Sequence, residues 1–164
     1  MTEIITCRLV STGAWGYAFY DGSGERIGSV DAASAPSAPV RIEGPGISWY
    51  SRFSIDTMIV PGTSRRVMDD RTGGEVYRLI YWRPGLYEVR TPETSVQAEI
   101  REGTYLFGKP FMPVTAMTER TAGTEQVPER RGTEILPAFR TKVFDRISDS
   151  YLMMVLSFPA LRFY

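Results

Sequence analysis

The stretch that decides the fold is Asp145-Arg-Ile-Ser-Asp-Ser-Tyr-Leu-Met-Met-Val-Leu-Ser-Phe-Pro-Ala-Leu-Arg-Phe-Tyr164. Ser148 or Asp149 can cap a helix, because a short side-chain oxygen accepts an N–H of the first turn. The residues from Tyr151 to Leu156 are apolar on every helical face, and such a helix must be surrounded by protein or lipid. A bilayer needs about 20 apolar residues. We therefore predict a buried helix over about 148–162.

The sequence before this helix has the alternation of short strands. Ser95 to Arg101 is the clearest case, with Val96, Ala98 and Ile100 on one face and polar residues on the other. Turn signals rich in Gly, Pro and Asp separate such runs, a pattern typical of an all-β sandwich or barrel. Strands are predicted over 3–10, 14–20, 25–30, 40–43, 47–51, 53–60, 65–68, 75–82, 86–91, 95–101, 104–107, 111–117 and 139–144.

These two features together predict one fold. A barrel of about eight strands is the largest that its own side chains can fill, so a wider barrel needs another occupant. The C-terminal helix is the available element. We predict a mainly β, single-domain protein over 1–164, in which a roughly twelve-stranded closed antiparallel barrel encloses the hydrophobic helix. Because proline disrupts a helix at a cost of roughly 3 kcal/mol, we expect the regular helix to bend or end near Phe158, with Leu161 and Phe163 closing the barrel mouth.

Two segments are predicted to be surface loops, 31–39 and 118–137. The longer one is polar, and a loop of that length in a compact domain is typically functional or mobile. Two similar turns, Asp21-x-x-Gly24 and Asp70-x-x-Gly73, each join two predicted strands. Their similarity suggests a duplicated hairpin unit, although a chance match of hairpin turns explains it as well.

Composition argues against several function classes. The formal net charge is zero and there is no histidine, which disfavours nucleic acid as a partner and removes the commonest general base and metal ligand. The single cysteine, Cys7, is predicted to pack in the core. We expect no cofactor, no catalytic residues and no metal site. No signal peptide or transmembrane run is visible, so we expect a cytoplasmic protein, with peripheral membrane association as a further expectation.

Basic residues form the only candidate ligand sites. Seventeen of the 19 are arginine, which recognises phosphate and carboxylate in a bidentate way. Three clusters are predicted: Arg65, Arg66 and Arg71; Arg120, Arg130 and Arg131; and Lys109, Arg140 and Lys142. The alternative is that they are solvated charges, partly offset by nearby acidic residues.

Two further patterns are open to a functional interpretation. Arginines and aromatics alternate between Tyr77 and Arg90, as in proteins that bind single-stranded nucleic acid, but the zero net charge favours barrel packing. Asp69 and Asp70 are adjacent, yet nothing brings a pair of carboxylates across a cleft as a glycosidase requires.

The chain resembles the tubby C-terminal-like superfamily, which includes tubby domains, phospholipid scramblases and plant LURP-one-related proteins. The resemblance rests on Asp21-x-x-Gly24, Asp70-x-x-Gly73, the 139–144 strand and the 148–163 helix. It implies a twelve-stranded barrel threaded by the helix, and contact with membrane lipids. No tubby lipid-binding motif matches any position, and the cysteine-rich and EF-hand-like segments of scramblases are missing from the sequence.

The leading hypothesis is a non-enzymatic binding or adaptor module whose partner is an anionic phospholipid surface, or a protein engaged by the 118–137 loop. The alternatives are a protein-interaction or structural module without a lipid ligand, and a carboxylate-based hydrolase. A further alternative makes the C-terminal helix a membrane-inserting tail.

Overall fold

The computed structural model describes residues 3–13, 16–32, 39–51, 60–109 and 120–161. This part of the chain forms fourteen strands and one helix. Their bounds are β1 Ile5–Ser11, β2 Gly16–Tyr20, β3 Arg26–Ala32, β4 Val40–Gly44, β5 Ile47–Ser51, β6 Ser64–Asp69, β7 Glu75–Arg83, β8 Leu86–Arg90, β9 Ser95–Arg101, β10 Thr104–Phe107, β11 Ala122–Gln126, β12 Glu129–Arg131, β13 Glu134–Leu136, β14 Ala138–Val143 and α1 Asp149–Leu161.

Twelve of the strands form a closed barrel. Strands β1 to β11 follow one another around the wall, and β14 fills the place between β11 and β1. Every neighbouring pair is antiparallel, including the closing pair of β1 and β14, in which Ile5 to Val10 lie opposite Val143 to Ala138. Strands β12 and β13 form a separate two-stranded hairpin. The predicted fold class, a mainly β protein with a closed barrel of about twelve strands, is confirmed.

Alternation of side chains places one set of residues inside the barrel. In β4, Val40 and Ile42 are buried while Arg41 and Glu43 are exposed. The same period of two buries Tyr87 and Val89 of β8, because successive side chains of a strand point to opposite faces. Aromatic and branched side chains therefore line the inner wall.

The contacts of α1 place it in the barrel interior. Six consecutive residues from Met153 to Phe158 are buried, which requires protein on every side of the helix. The ring of Phe158 makes T-shaped, edge-to-face contacts with the rings of Tyr87 on β8 and of Tyr105 and Phe107 on β10. Met153 lies against β3 and β4, which are on the other side of the barrel from β8 and β10. A 13-residue helix is about 20 Å long, close to the length of a seven-residue strand.

Side chains form hydrogen bonds with backbone groups at both ends of the helix. The Ser148 hydroxyl accepts the Tyr151 N–H at 3.1 Å, so Ser148 is the N-cap. At the other end the Arg65 guanidinium donates to the Leu161 carbonyl at 2.8 Å. The helix does not end near Phe158, since it includes Pro159 and continues to Leu161, in agreement with the predicted extent of about 148–162. Leu161 is buried as expected, and Phe163 lies outside the described residues.

The predicted 118–137 loop is largely wrong. Its described part contains the barrel strand β11 and both strands of the β12–β13 hairpin. The start of the predicted 31–39 loop is also wrong, since Asp31 and Ala32 pair with Arg41 and Val40. The predicted strand over 111–117 lies outside the described residues, as does the one over 53–60 apart from Val60, which is not in a strand.

The two similar turns differ in length and in the aspartate that accepts their backbone hydrogen bonds. Asp21 Oδ1 accepts the Ser23 hydroxyl at 2.7 Å and the N–H groups of Ser23 and Glu25. These hydrogen bonds, the one from the hydroxyl most of all, lower the pKa of the Asp21 carboxyl group. In the second turn the corresponding oxygen belongs to Asp69, which accepts the N–H groups of Arg71 and Thr72. The assignment of Asp70 to this position was wrong, because the second turn is one residue longer.

Candidate functional site

The structure separates the first predicted basic cluster. Arg65 lies inside the barrel, where it is 7% exposed and donates to Ser51 Oγ at 2.9 Å. Its neighbour Arg66 points outward and forms a 2.7 Å ion pair with Glu75. Arg71 is exposed in the turn after β6. Because successive strand residues face opposite sides, Arg65 does not contribute to a surface site with the other two.

The second predicted cluster is also divided. Arg130 and Arg131 are exposed on β12 in the hairpin that follows the far end of β11. Arg120 precedes the beginning of β11, beside Thr121, whose N–H donates to the Phe107 carbonyl. One strand length therefore lies between Arg120 and the hairpin arginines.

Part of the third cluster joins Arg120 on the outer wall. Arg140 and Lys142 are two residues apart on β14, so both side chains lie on its outer face. Lys109 is exposed beyond the end of β10. The pairing of β11 with β14 brings Arg120 close to Lys142. Gly123 of β11 lies opposite Lys142, and the Arg120 guanidinium lies against Gly123.

The resulting site, here called the basic pocket, is a depression of about 170 Å³ on the outer wall over β10, β11 and β14. Three of its lining side chains are cationic and one is a carboxylate. It is lined by Thr104, Arg120, Gly123, Glu125, Arg140, Lys142 and Phe144.

Aromatic and small residues hold Arg120 in place. Its guanidinium carbon lies 4.9 Å from the centre of the Phe144 ring, a cation–π geometry. A side-chain carbon added at Gly123 would lie 3.6 Å from the same guanidinium carbon. This distance is an ordinary van der Waals contact, so the arginine head group lies directly over the backbone of Gly123.

Most other outward-facing arginines are neutralised by a neighbouring carboxylate. Arg90 pairs with Glu88 at 2.8 Å and Arg101 with Glu99 at 2.8 Å. Within the described part of the chain, neither Arg140 nor Lys142 has an ion pair shorter than 4.0 Å. Glu125 is the cross-strand neighbour of Arg140 and only partly offsets the positive charge. The basic pocket can therefore bind an anion by charge-assisted hydrogen bonds.

The sequence did not point to several residues of this surface. Arg8 of β1 is the cross-strand neighbour of Arg140 and extends the positive surface, although it pairs with Glu129 at 3.3 Å and lies 5.0 Å from the Tyr20 ring centre. Thr104, Glu125 and Phe144 also belong to the site. Only the register between the first and last barrel strands could have revealed Arg8.

Titratable groups elsewhere are in ordinary structural roles. Burial, with a smaller contribution from Asp21, raises the pKa of the Cys7 thiol to about 11, so it stays protonated at neutral pH. Burial also acts to raise the pKa of Glu88, but hydrogen bonds from Ser95, Arg90 and Trp82 outweigh it, and the pKa lies below its usual value. The predicted core position of Cys7 is confirmed, since the residue is 1% exposed.

Comparison with known proteins gives no assignment: no family model, no curated protein and no solved structure matches the chain. In the described ranges, no group of three or more Cys, Asp or Glu residues is arranged to hold a metal ion. The same ranges contain no helix that is both long and apolar enough to span a bilayer.

Proposed function

We propose that the protein is a non-enzymatic binding module of the tubby-like type, which associates peripherally with cytoplasmic membrane surfaces through anionic phospholipid headgroups. The basic pocket is the proposed headgroup site. The observation that carries this proposal is the convergence of Arg120, Arg140 and Lys142, of which the two on β14 have no close ion pair within the described residues.

The filled interior supports an outer-wall site. Because Met153 to Phe158 occupy the barrel core, the barrel has no lumen there for a lipid chain. A headgroup can instead approach Arg120, whose guanidinium lies over the Phe144 ring, and receive hydrogen bonds from its planar fork.

The charge count predicts weak, salt-dependent binding. Each basic residue near an anionic membrane contributes about 1 kcal/mol, so three would favour anionic over neutral vesicles by roughly 100-fold at low salt. Strong anionic-lipid sites usually contain four to eight basic residues. We therefore expect binding that is detectable at low ionic strength. It should be largely lost at about 0.5 M salt, because salt screens the attraction between the basic residues and the headgroups.

Co-sedimentation with vesicles tests the proposal. The vesicles contain phosphatidylcholine alone or with phosphatidylserine, and the variant is Arg140→Glu with Lys142→Glu. The matched control is Arg26→Glu with Arg83→Glu, which reverses the same charge at two exposed arginines outside the basic pocket. We expect the pocket variant to lose binding to anionic vesicles and the control to retain it. No binding by the wild type would remove the lipid function, and equal binding by both variants would remove the basic pocket as the headgroup site.

A protein partner is the second candidate, and the β12–β13 hairpin favours it. Ile135 is 61% exposed there, opposite Arg130 in the register. An exposed apolar residue beside an arginine is typical of a contact with another protein. If Arg130→Glu with Arg131→Glu, and not the pocket variant, lowers vesicle binding, then the hairpin replaces the basic pocket as the membrane contact.

A further inference from the structure

A second cavity opens at the barrel mouth where α1 enters. Its volume is about 380 Å³, within the roughly 300–1,000 Å³ of small-molecule sites and more than twice an engineered cavity that binds benzene. It lies between the first turns of α1, strand β7 and the β8–β9 connection, and shares no lining residue with the basic pocket. Its lining consists of Val76, Tyr77, Val89, Thr91, Pro92, Glu93, Thr94, Val96, Ser148, Ser150, Tyr151 and Met154. We call it the mouth cavity.

The floor of the mouth cavity is apolar and its rim is polar. Val89 and Val96 are almost fully buried on the inner wall, and Met154 is 4% exposed on the helix. Ser148, Ser150 and Glu93 are exposed. A molecule with an apolar body and a polar head would therefore place its body inward and its head at the rim.

The charges around the rim select the head group. Among the described residues that line the cavity, Glu93 is the only charged one, and its carboxylate disfavours an anionic head. The positive end of the α1 dipole at Ser148 does not offset this repulsion, because Asp149 places a second carboxylate in the first turn of the helix. An uncharged hydroxyl avoids the repulsion and can both donate to the Glu93 carboxylate and accept from a serine hydroxyl, whereas an ammonium has no lone pair with which to accept.

One lining residue has an unsatisfied hydrogen-bonding group. Thr94 Oγ1 is buried and has no hydrogen-bond partner within the described residues, although the Thr94 backbone N–H and carbonyl both bond to Thr91 Oγ1. Buried polar groups normally have a partner. A ligand hydroxyl at the cavity wall would supply one.

We propose that the mouth cavity is a binding site for a small uncharged amphiphile, with an apolar body of about eight carbons and a hydroxyl head. At about 30 Å³ for each water-sized group, the cavity holds about twelve such groups, so an eight-carbon chain and its hydroxyl fit with room for water at the rim. The head lies between Glu93 and the Ser150 hydroxyl, and the body lies against Val89, Val96 and Met154. This site is independent of the proposed headgroup site.

Three probes of equal chain length test the proposal on the full chain: 1-octanol, titrated below its solubility limit, and octanoate and octylammonium, titrated below their micellar ranges. Dissociation constants come from amide chemical shifts in ¹H–¹⁵N spectra. We expect saturable octanol binding with shifts at Thr94, Val96 and Ser150, and at least about tenfold weaker binding of octanoate. Equal affinity for octanol and octanoate, tighter binding of octylammonium than of octanol, or no saturable shift at these residues, would overturn the proposal.

Three variants and a control locate the site. Ser150 is exposed, so Ser150→Trp should fold normally while it blocks the cavity and weakens octanol binding by at least tenfold. Thr94→Val should weaken octanol binding by about five- to tenfold, as expected for one lost hydrogen bond. Glu93→Gln should strengthen octanoate binding by about fivefold, because it removes the charge at the rim. Glu134→Gln, in the β12–β13 hairpin, is the control. Unchanged octanol affinity in Ser150→Trp, or equal effects of the two Glu variants, would contradict the assignment.

Discussion

Replacement of Phe158 by alanine should remove much of the protein's stability. The side chain is 2% exposed, and its ring centre lies 5.5, 5.7 and 5.3 Å from those of Tyr87, Tyr105 and Phe107. A buried Phe→Ala change costs about 3–5 kcal/mol, and the cost rises with the volume of the cavity that remains. The three rings belong to hydrogen-bonded barrel strands and cannot collapse into the space, so we expect the upper half of that range.

Urea denaturation measures the loss directly. A cost of about 4 kcal/mol is a large part of the usual 5–15 kcal/mol stability, and should lower the melting temperature by roughly 8–16 °C in a domain of this size. The m-value should not change if the native fold is retained. Ile135→Ala is the control, since Ile135 is 61% exposed and should cost less than about 0.5 kcal/mol. A loss below about 1 kcal/mol for Phe158→Ala would refute a helix packed inside the barrel.

Other substitutions test the remaining contacts of the interior. Gly28→Ala should destabilise by about 1–3 kcal/mol in urea denaturation, because the new carbon would lie 2.5 Å from the Glu43 carbonyl oxygen and close to Met153; a neutral result would contradict the close approach of these strands. Arg65→Met should cost about 1–3 kcal/mol, because it leaves the Leu161 carbonyl and the Ser51 hydroxyl without this donor. Arg65→Lys should cost less, and equal costs would argue against a directed hydrogen bond. Wild-type stability should fall between about pH 9 and pH 11, because the unfolded chain loses the Cys7 proton near 9.0 while the native thiol keeps it to about 11. This part of the fall should be absent in Cys7→Ala; parallel stability profiles of the two proteins would show that the thiol is not buried.

The sequence was informative about the helix and the general architecture because those depend on local patterns. A run of apolar residues without a polar face, behind a serine cap, permits few environments. Strand alternation likewise identified the inner face of β9, where Val96 and Ala98 are buried. Strand β11 was missed because Ala122-Gly-Thr-Glu-Gln126 has few β-branched or aromatic residues. It is nevertheless part of the wall, where Thr124 Oγ1 and Thr141 Oγ1 hydrogen-bond at 2.8 Å inside the barrel.

The candidate site could not be predicted in the same way. Arg120 and Arg140 are separated by an intervening hairpin, and only the pairing of β11 with β14 brings their surroundings together. Arg65 illustrates the opposite error, since adjacent arginines suggested a surface cluster. Alternation sends Arg65 inward, where the carbonyl end of α1 requires a donor. Register and the position of the helix ends are tertiary properties, and local composition does not encode them.

The most direct test of the headgroup site is amide chemical-shift mapping with glycerol phosphate, a soluble form of the headgroup chemistry. The account predicts saturable, salt-sensitive shifts at Gly123, Lys142 and Phe144, which are lost in Arg140→Glu with Lys142→Glu. Saturable shifts confined to the β12–β13 hairpin, or shifts that persist in the variant, would contradict it.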